Sequence, residues 1–130
     1  MKNETLMEAL VQVKRIGNLQ HEILDISQQM AEAVDRDDEV ATGMLISMRS
    51  EPIEKLRISK YALQTMLDSL KDTEDGERLS ALLNGGGTAQ DVAEEALTKQ
   101  VAANARESER ILALERILNR KISRDQSIFQ

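Results

Sequence analysis

TAQDVAEEALTKQVAANARESERILALERILNRKI, residues 88–122, is the stretch that decides the fold of this chain. It contains neither proline nor glycine. Its main apolar residues recur at spacings of three, four or small multiples of these, which places them along one side of an α-helix with 3.6 residues per turn. The pattern predicts one uninterrupted amphipathic helix from Thr88 to Ile122. Its apolar stripe consists of Ala93, Leu97, Val101, Ile111, Leu118 and Ile122.

The apolar arc of this helix widens toward its C-terminal end. Leu112, Leu114 and Ile117 add apolar surface on either side of the stripe. Packing against a single neighbouring hairpin requires less apolar surface than this, so we expect a further partner to cover part of it.

Composition favours an all-α protein with one core. The chain has 130 residues, of which 41% are apolar but only 2% aromatic, and it contains one proline. A chain of this length forms about one domain, and a composition rich in Leu, Ile, Ala and Met favours helices over strands. We expect a single helical domain over residues 1–122 and a frayed tail over residues 123–130.

Two further long helices precede residue 88. Asn3 is positioned to cap a first helix of about thirty residues, and Asp37 or Asp38 to cap the second. Pro52 interrupts the second helix, which either bends there or restarts with Ser50 as its N-cap.

A short helix over residues 77–84 connects the second helix to the last one. Three glycines, residues 85–87, end it and provide a hinge, and Thr88 with Asp91 resembles a capping box that starts the final helix. Three long apolar stripes are best buried against one another. The expected fold is therefore an antiparallel helical bundle, or a three-stranded coiled coil of long helices, with a short connecting helix.

The charge distribution argues against nucleic acid and anionic membranes as partners. The net charge is −6, and residues 1–87 carry all of it, with 10 basic and 16 acidic residues. Arg116, Arg120, Lys121 and Arg124 form a local basic run near the C-terminus. Such a run either complements the dipole of the last helix or attracts an acidic partner.

No residue set suitable for catalysis is apparent. The chain has no cysteine and a single histidine, His21, so neither a thiol nucleophile nor a multi-histidine metal site is available within one chain. We expect no enzymatic activity, no cofactor and no bound metal. The absence of a signal-like segment or an 18-residue apolar run predicts a cytoplasmic location without membrane insertion.

The layout of helices resembles that of the FlgN/FliT-type flagellar export chaperones. The stretch Ala33-Val34-Asp35-Arg36-Asp37, with Leu45, Arg49 and Leu56 after it, is similar to the first hairpin of that family. The stretch ERLSALLNGGGTAQDVAEEAL, residues 77–97, is similar to the connection into its last helix. The resemblance implies a cytoplasmic, non-enzymatic chaperone that binds the helical ends of hook-associated or filament-cap proteins and brings them to the export machinery.

A client helix in this role would lay its apolar face on the last helix of the chaperone. The residues expected to bind it divide into apolar anchors and basic residues that attract its carboxylates. The anchors are Ile111, Leu112, Leu114, Ile117 and Leu118, and the basic residues are Arg116, Arg120 and Lys121.

Two other functions fit the same apolar surface. In the first, the surface is the seam of a homodimer in a self-associating structural coiled-coil protein. In the second, a small regulator uses it to sequester a transcription factor.

Overall fold

The computed structural model describes residues 1–128, with side chains up to Ser123. Within these residues the chain is helical and contains no β-strand, which confirms the all-α prediction. The helices are α1 (Asn3–Asp35), α2 (Glu39–Ser69), α3 (Glu74–Leu83) and α4 (Val92–Ile128).

The three long helices form a bundle in which α1 packs along both α2 and α4, whereas direct contacts between α2 and α4 are few. A tight corner at residues 36–38 sends α2 back antiparallel to α1. Helix α4 runs parallel to α1. Val13 in α1 contacts Asn104 in α4, and the later residue Asp35 contacts the later residue Lys121. The result is an up-down-up helical bundle, with α3 at the end where α1 begins.

The corner between α1 and α2 is closed by backbone and side-chain hydrogen bonds. Asp37 adopts a left-handed conformation with φ of 55°, and the next amide, that of Asp38, donates to the carbonyl of Ala33 at 2.9 Å. The carboxylate of Asp38 then caps α2 by accepting from the amide of Ala41 at 3.0 Å. The prediction of an aspartate cap at this corner is confirmed. The predicted cap at Asn3 is wrong, because α1 begins one residue earlier, with Lys2 as an N-cap that makes no side-chain hydrogen bond.

Helix α2 continues through Pro52 without a restart. The hydroxyl of Ser50 donates to the carbonyl of Ser47 at 2.7 Å, as in a helix interior, so it does not cap a new helix. Pro52 is buried. The packing of the bundle therefore keeps α2 continuous although the proline removes one backbone hydrogen bond.

Hydrogen bonds define both ends of α3, and the helix begins earlier than predicted. Thr73 caps α3 through its hydroxyl, so the helix begins at Glu74 and not near Glu77. At its end, Gly85 has φ of +75°, and the amide of Gly86 donates to the carbonyl of Ala81 at 2.9 Å, which is the hydrogen bond of a Schellman motif.

Helix α4 begins and ends later than predicted. Its cap is Asp91, whose carboxylate accepts from the amide of Glu94 at 2.8 Å, and not Thr88. The helix extends past Ile122 to Ile128. The fraying of the tail stays a prediction, and residues 129–130 lie outside the described part of the chain.

The core consists of two aliphatic clusters, one toward each end of the bundle. The first joins α1 to α3 and the start of α4, and the second joins α1 to α2 and the later part of α4. Among the described residues no aromatic ring contributes to either cluster, because Tyr61 is 70% exposed. The first cluster contains Leu6, Ala9, Leu10, Val13, Leu79, Leu82 and Leu97, and the second contains Ile26, Met30, Ala33, Leu45 and Leu118.

Candidate protein-binding surfaces

The apolar residues predicted to bind a client on α4 do not form one surface. Leu118 is only 2% exposed and packs with Met30 and Leu45, so it is a core residue and not a client anchor. The reason is that α4 faces both α1 and α2 at this position. Leu114 is half-buried against the same cluster, and Ile111 is also half-buried.

The two predicted anchors that remain exposed point in different directions. Leu112 is 51% exposed and Ile117 is 40% exposed. A separation of five residues rotates a side chain by about 140° around a helix. One client helix therefore cannot cover both, and the wide apolar arc seen in the sequence is divided by the core contact at Leu118.

The three predicted basic residues are also used differently. The ammonium of Lys121 pairs with the carboxylate of Asp35 in α1, so its charge fastens α4 to the central helix. Arg116 and Arg120 are exposed, and the guanidinium of Arg120 donates to the carbonyl of Arg116 at 3.3 Å. Only the two arginines remain available to a partner.

An opening that the sequence did not predict lies between α1 and α2. It is an open groove of about 940 Å³. Met7 and Val11 are 46% and 49% exposed on its α1 side, and Ala62 and Met66 line its α2 side. A signal was present in the sequence, because Met7 and Val11 stand four residues apart, beside the buried stripe of α1. We call this opening the α1–α2 groove.

The rim of the α1–α2 groove is polar and acidic. Glu4 and Glu8 border it on α1, and Thr65 and Ser69 border it on α2. An apolar floor between polar rims is the arrangement that accepts an amphipathic helix. Methionines in the floor suit this task, because flexible thioethers adapt to different apolar side chains.

A smaller cleft of about 260 Å³ opens between the same two helices near the corner. Its apolar part includes Met44 and Met48, which are 62% and 55% exposed, and Gln29 contributes from α1. Gln29 follows Val11 by 18 residues, which is about five helical turns. The cleft and the α1–α2 groove therefore open on the same face of the bundle.

Charged residues occupy this face between the two openings. The ammonium of Lys55 in α2 pairs with Glu51 at 2.9 Å. The pKa of Lys55 is raised, first by its hydrogen bond to Glu51 and the charge of that carboxylate, and further by the charge of Glu22 in α1. The face thus has an apolar opening at each end and a charged middle.

The single histidine, His21, lies on the surface of the bundle beside a carboxylate. The imidazole of His21 is 84% exposed and lies 3.4 Å from the carboxylate of Glu107. Among the residues whose side chains the structure describes, no group of three His, Cys, Asp or Glu side chains is arranged as a metal site. None of the helices within residues 1–128 has an apolar stretch long enough to span a bilayer.

Comparison with known proteins adds no relative. No family model matches the chain, and neither the curated proteins nor the solved structures include one that is significantly similar to it.

Proposed function

We propose that this protein is a non-enzymatic chaperone of the flagellar export type, which binds the helical terminal segment of a hook-associated or filament-cap protein in the cytoplasm. The observation that carries the proposal is the α1–α2 groove, with its apolar floor and polar rims. The helical bundle is the fold expected for such a chaperone, and its long helices α1 and α2 form the two sides of a groove for a helical client.

The client is bound by the helix-in-groove mode. Its apolar face contacts Met7, Val11 and Met66, and its polar face stays in solvent. Burial of one aliphatic side chain contributes about 1.5–3 kcal/mol, so a few such contacts are enough for a reversible complex. A reversible complex is what export requires, because the client must be released intact.

The client site proposed here differs from the one expected from sequence. The last helix contributes Leu114 and Leu118 to the bundle, whereas the exposed apolar pairs that line the two openings are on α1 and α2. The face that carries the groove is built by the α1–α2 hairpin.

Calorimetric titration with the terminal helical segments of the hook-associated and filament-cap proteins of the same organism tests the proposal. We expect one of these segments to bind, and Val11→Asp to weaken binding at least tenfold, since a carboxylate would replace an apolar contact. Ile117→Asp is the matched control, because Ile117 is similarly exposed but lies on α4. Unchanged binding by Val11→Asp together with loss in Ile117→Asp would move the client to α4.

The homodimer is the competing function, and the same groove could serve as its seam. Light scattering at rising protein concentration distinguishes the two. A monomer that binds a segment supports the chaperone, whereas a dimer that persists at nanomolar concentration and binds none of the segments overturns it.

A further inference from the structure

The outward side of α4 carries a row of arginines that the bundle does not use. Its residues follow one another at spacings of four, four, three, four and three, so they lie on one side of the helix. All of them are exposed. We call this row, together with the adjoining exposed Arg116, the arginine face, and the row consists of Ala102, Arg106, Arg110, Ala113, Ile117 and Arg120.

The positive charge of this face is largely uncompensated. Within the described part of the chain, no carboxylate lies within ion-pair distance of Arg106, Arg116 or Arg120, and Arg116 adjoins Arg120 one turn away. Arg110 is paired with the flanking Glu107 at 3.5 Å. Three glutamates lie between these arginines in the sequence: Glu107, the exposed Glu109, and Glu115, whose carboxylate lies 3.7 Å from the guanidinium of Arg49 in α2. Arg106, Arg116 and Arg120, which have no such pair among the described residues, leave a local positive surface on a chain whose net charge is −6.

The arginines of the arginine face form two pairs, and of its apolar residues only Ala113 lies between these pairs. Arg106 and Arg110 are one turn apart, Arg116 and Arg120 are one turn apart, and Ile117, 40% exposed, lies near the second pair. From the first arginine to the last, the face is about 21 Å long. A surface on which exposed apolar residues adjoin arginines has the composition of a protein-binding site, where arginine is enriched and lysine depleted.

We propose that the arginine face binds an amphipathic helix of a partner protein that carries carboxylates one turn apart near both ends and an apolar side chain between them. Guanidinium groups bind carboxylates through paired, charge-assisted hydrogen bonds, which a lysine does not reproduce. The partner helix needs about 14 residues to reach both arginine pairs.

This site is separate from the α1–α2 groove. It lies on α4 and shares no residue with the groove, which belongs to α1 and α2. A client in the groove and a partner on the arginine face can therefore be bound at the same time, and either proposal can fail without the other.

The test uses a designed peptide of about 18 residues. It carries glutamate pairs one turn apart near both ends and leucine in the middle, and a scrambled peptide of the same composition is the reference. At about 50 mM salt we expect the designed peptide to bind at least tenfold more tightly than the scrambled one. Equal binding of both peptides would show general charge attraction only and would overturn the proposal.

Charge reversal on the protein supplies the second readout. Arg106→Glu with Arg110→Glu is expected to weaken binding about tenfold or more, while Arg57→Glu, an exposed arginine of α2, leaves it unchanged. A peptide in which lysines replace the glutamates of one end should restore binding to the double variant, which a purely structural role of the arginines would not produce. Tighter binding of duplex DNA than of the designed peptide, at equal salt, would also overturn the proposal.

Discussion

Asn104 of α4 donates a hydrogen bond from its Nδ2 atom to the backbone carbonyl of Val13 in α1, at 2.8 Å. The two helices meet here at Gly17. A Cβ atom added to Gly17 would lie 2.6 Å from the side-chain ends of both Asn104 and Gln100. The glycine therefore makes room for an amide side chain that joins two helices midway along the bundle.

The effect of Gly17→Ala is expected to depend on Gln100 and Asn104. Alanine favours a helix over glycine by about 1 kcal/mol, but in the natural chain it displaces Asn104 and loses a hydrogen bond that contributes about 0.5–1.5 kcal/mol. The two effects should nearly cancel. In a background that carries both Asn104→Ala and Gln100→Ala the conflict is removed, because both side-chain ends that lie 2.6 Å from the added Cβ are gone. Gly17→Ala should then raise the free energy of unfolding by up to about 1 kcal/mol. Urea unfolding of the four chains measures this, and equal effects in both backgrounds would contradict the contact.

Leu118→Ala should destabilise the bundle strongly. Leu118 is 2% exposed in the second core cluster, and truncation of a buried leucine costs about 2–5 kcal/mol. Leu112→Ala is the control on the same helix, since Leu112 is 51% exposed and its truncation should change stability by less than about 0.5 kcal/mol. Similar losses for the two variants in urea unfolding would place Leu112 in the core as well.

The stability of the bundle should decrease at acid pH, partly through Glu94. This carboxylate is 4% exposed, and its pKa is lowered, first by the hydrogen bond from Arg78 and also by the amide of Gln90. A carboxyl whose pKa is lower in the folded than in the unfolded chain stabilises the fold above its ordinary pKa, near 4.5. That contribution is lost as the pH falls through the lowered value.

Glu94→Gln tests this linkage. We expect the variant to be less stable than the natural chain at neutral pH, and the difference to shrink below about pH 4.5. Glu54→Gln is the control, because Glu54 forms an exposed pair with Arg57 that solvent screens. If the difference in stability between Glu94→Gln and the natural chain, measured by circular dichroism, stayed constant between about pH 7 and 3, Glu94 would not contribute to the pH dependence of stability.

Gly85→Ala should weaken the end of α3. Gly85 has φ of +75°, a conformation that costs about 1–2 kcal/mol for a residue with a Cβ atom. Gly86→Ala is a control in the same turn, because the atom nearest to its added Cβ is 4.0 Å away. Thermal unfolding should show the loss for Gly85→Ala only, and equal shifts in the two variants would argue against the Schellman ending.

Pro52→Ala should stabilise the protein slightly. Alanine restores a helical hydrogen-bond donor and is favoured over proline by about 3 kcal/mol in a helix interior. The buried ring loses contacts worth about 0.8 kcal/mol for each missing methylene group. The expected net gain is about 1 kcal/mol, and a loss of stability in urea unfolding would show that the bundle depends on the proline.

The all-α fold class and the order of the helices along the chain were predictable, because they depend on the periodicity of apolar residues within each helix. The stripe through Leu97 and Leu118 is a property of α4 alone, and both residues are buried, although Leu118 was also expected to bind a client. The side of α4 that stays exposed was not predictable in the same way. Whether Leu112 or Leu114 is exposed depends on where α1 and α2 lie around α4, and the local sequence pattern of α4 does not determine those positions.

The candidate site was missed for a related reason. Met7 and Val11 border the buried stripe of α1, so in the sequence they look like additional core residues. They are exposed because only two long helices pack on α1, which leaves its third side open. The helix starts at Asn3 and Thr88 were mispredicted, and a restart at Ser50 was left open as an alternative, because several nearby residues can cap a helix and tertiary packing selects among them.

The aliphatic core has a consequence for optical work on this protein. The chain has no tryptophan, and Tyr61 is largely in solvent, so its ultraviolet emission should hardly respond when the bundle unfolds. This weak intrinsic emission is useful, because the fluorescence of one tryptophan introduced beside the α1–α2 groove would report on that groove alone. Binding of a client could then be followed in the unlabelled mixture, against a background with no other indole in the chain.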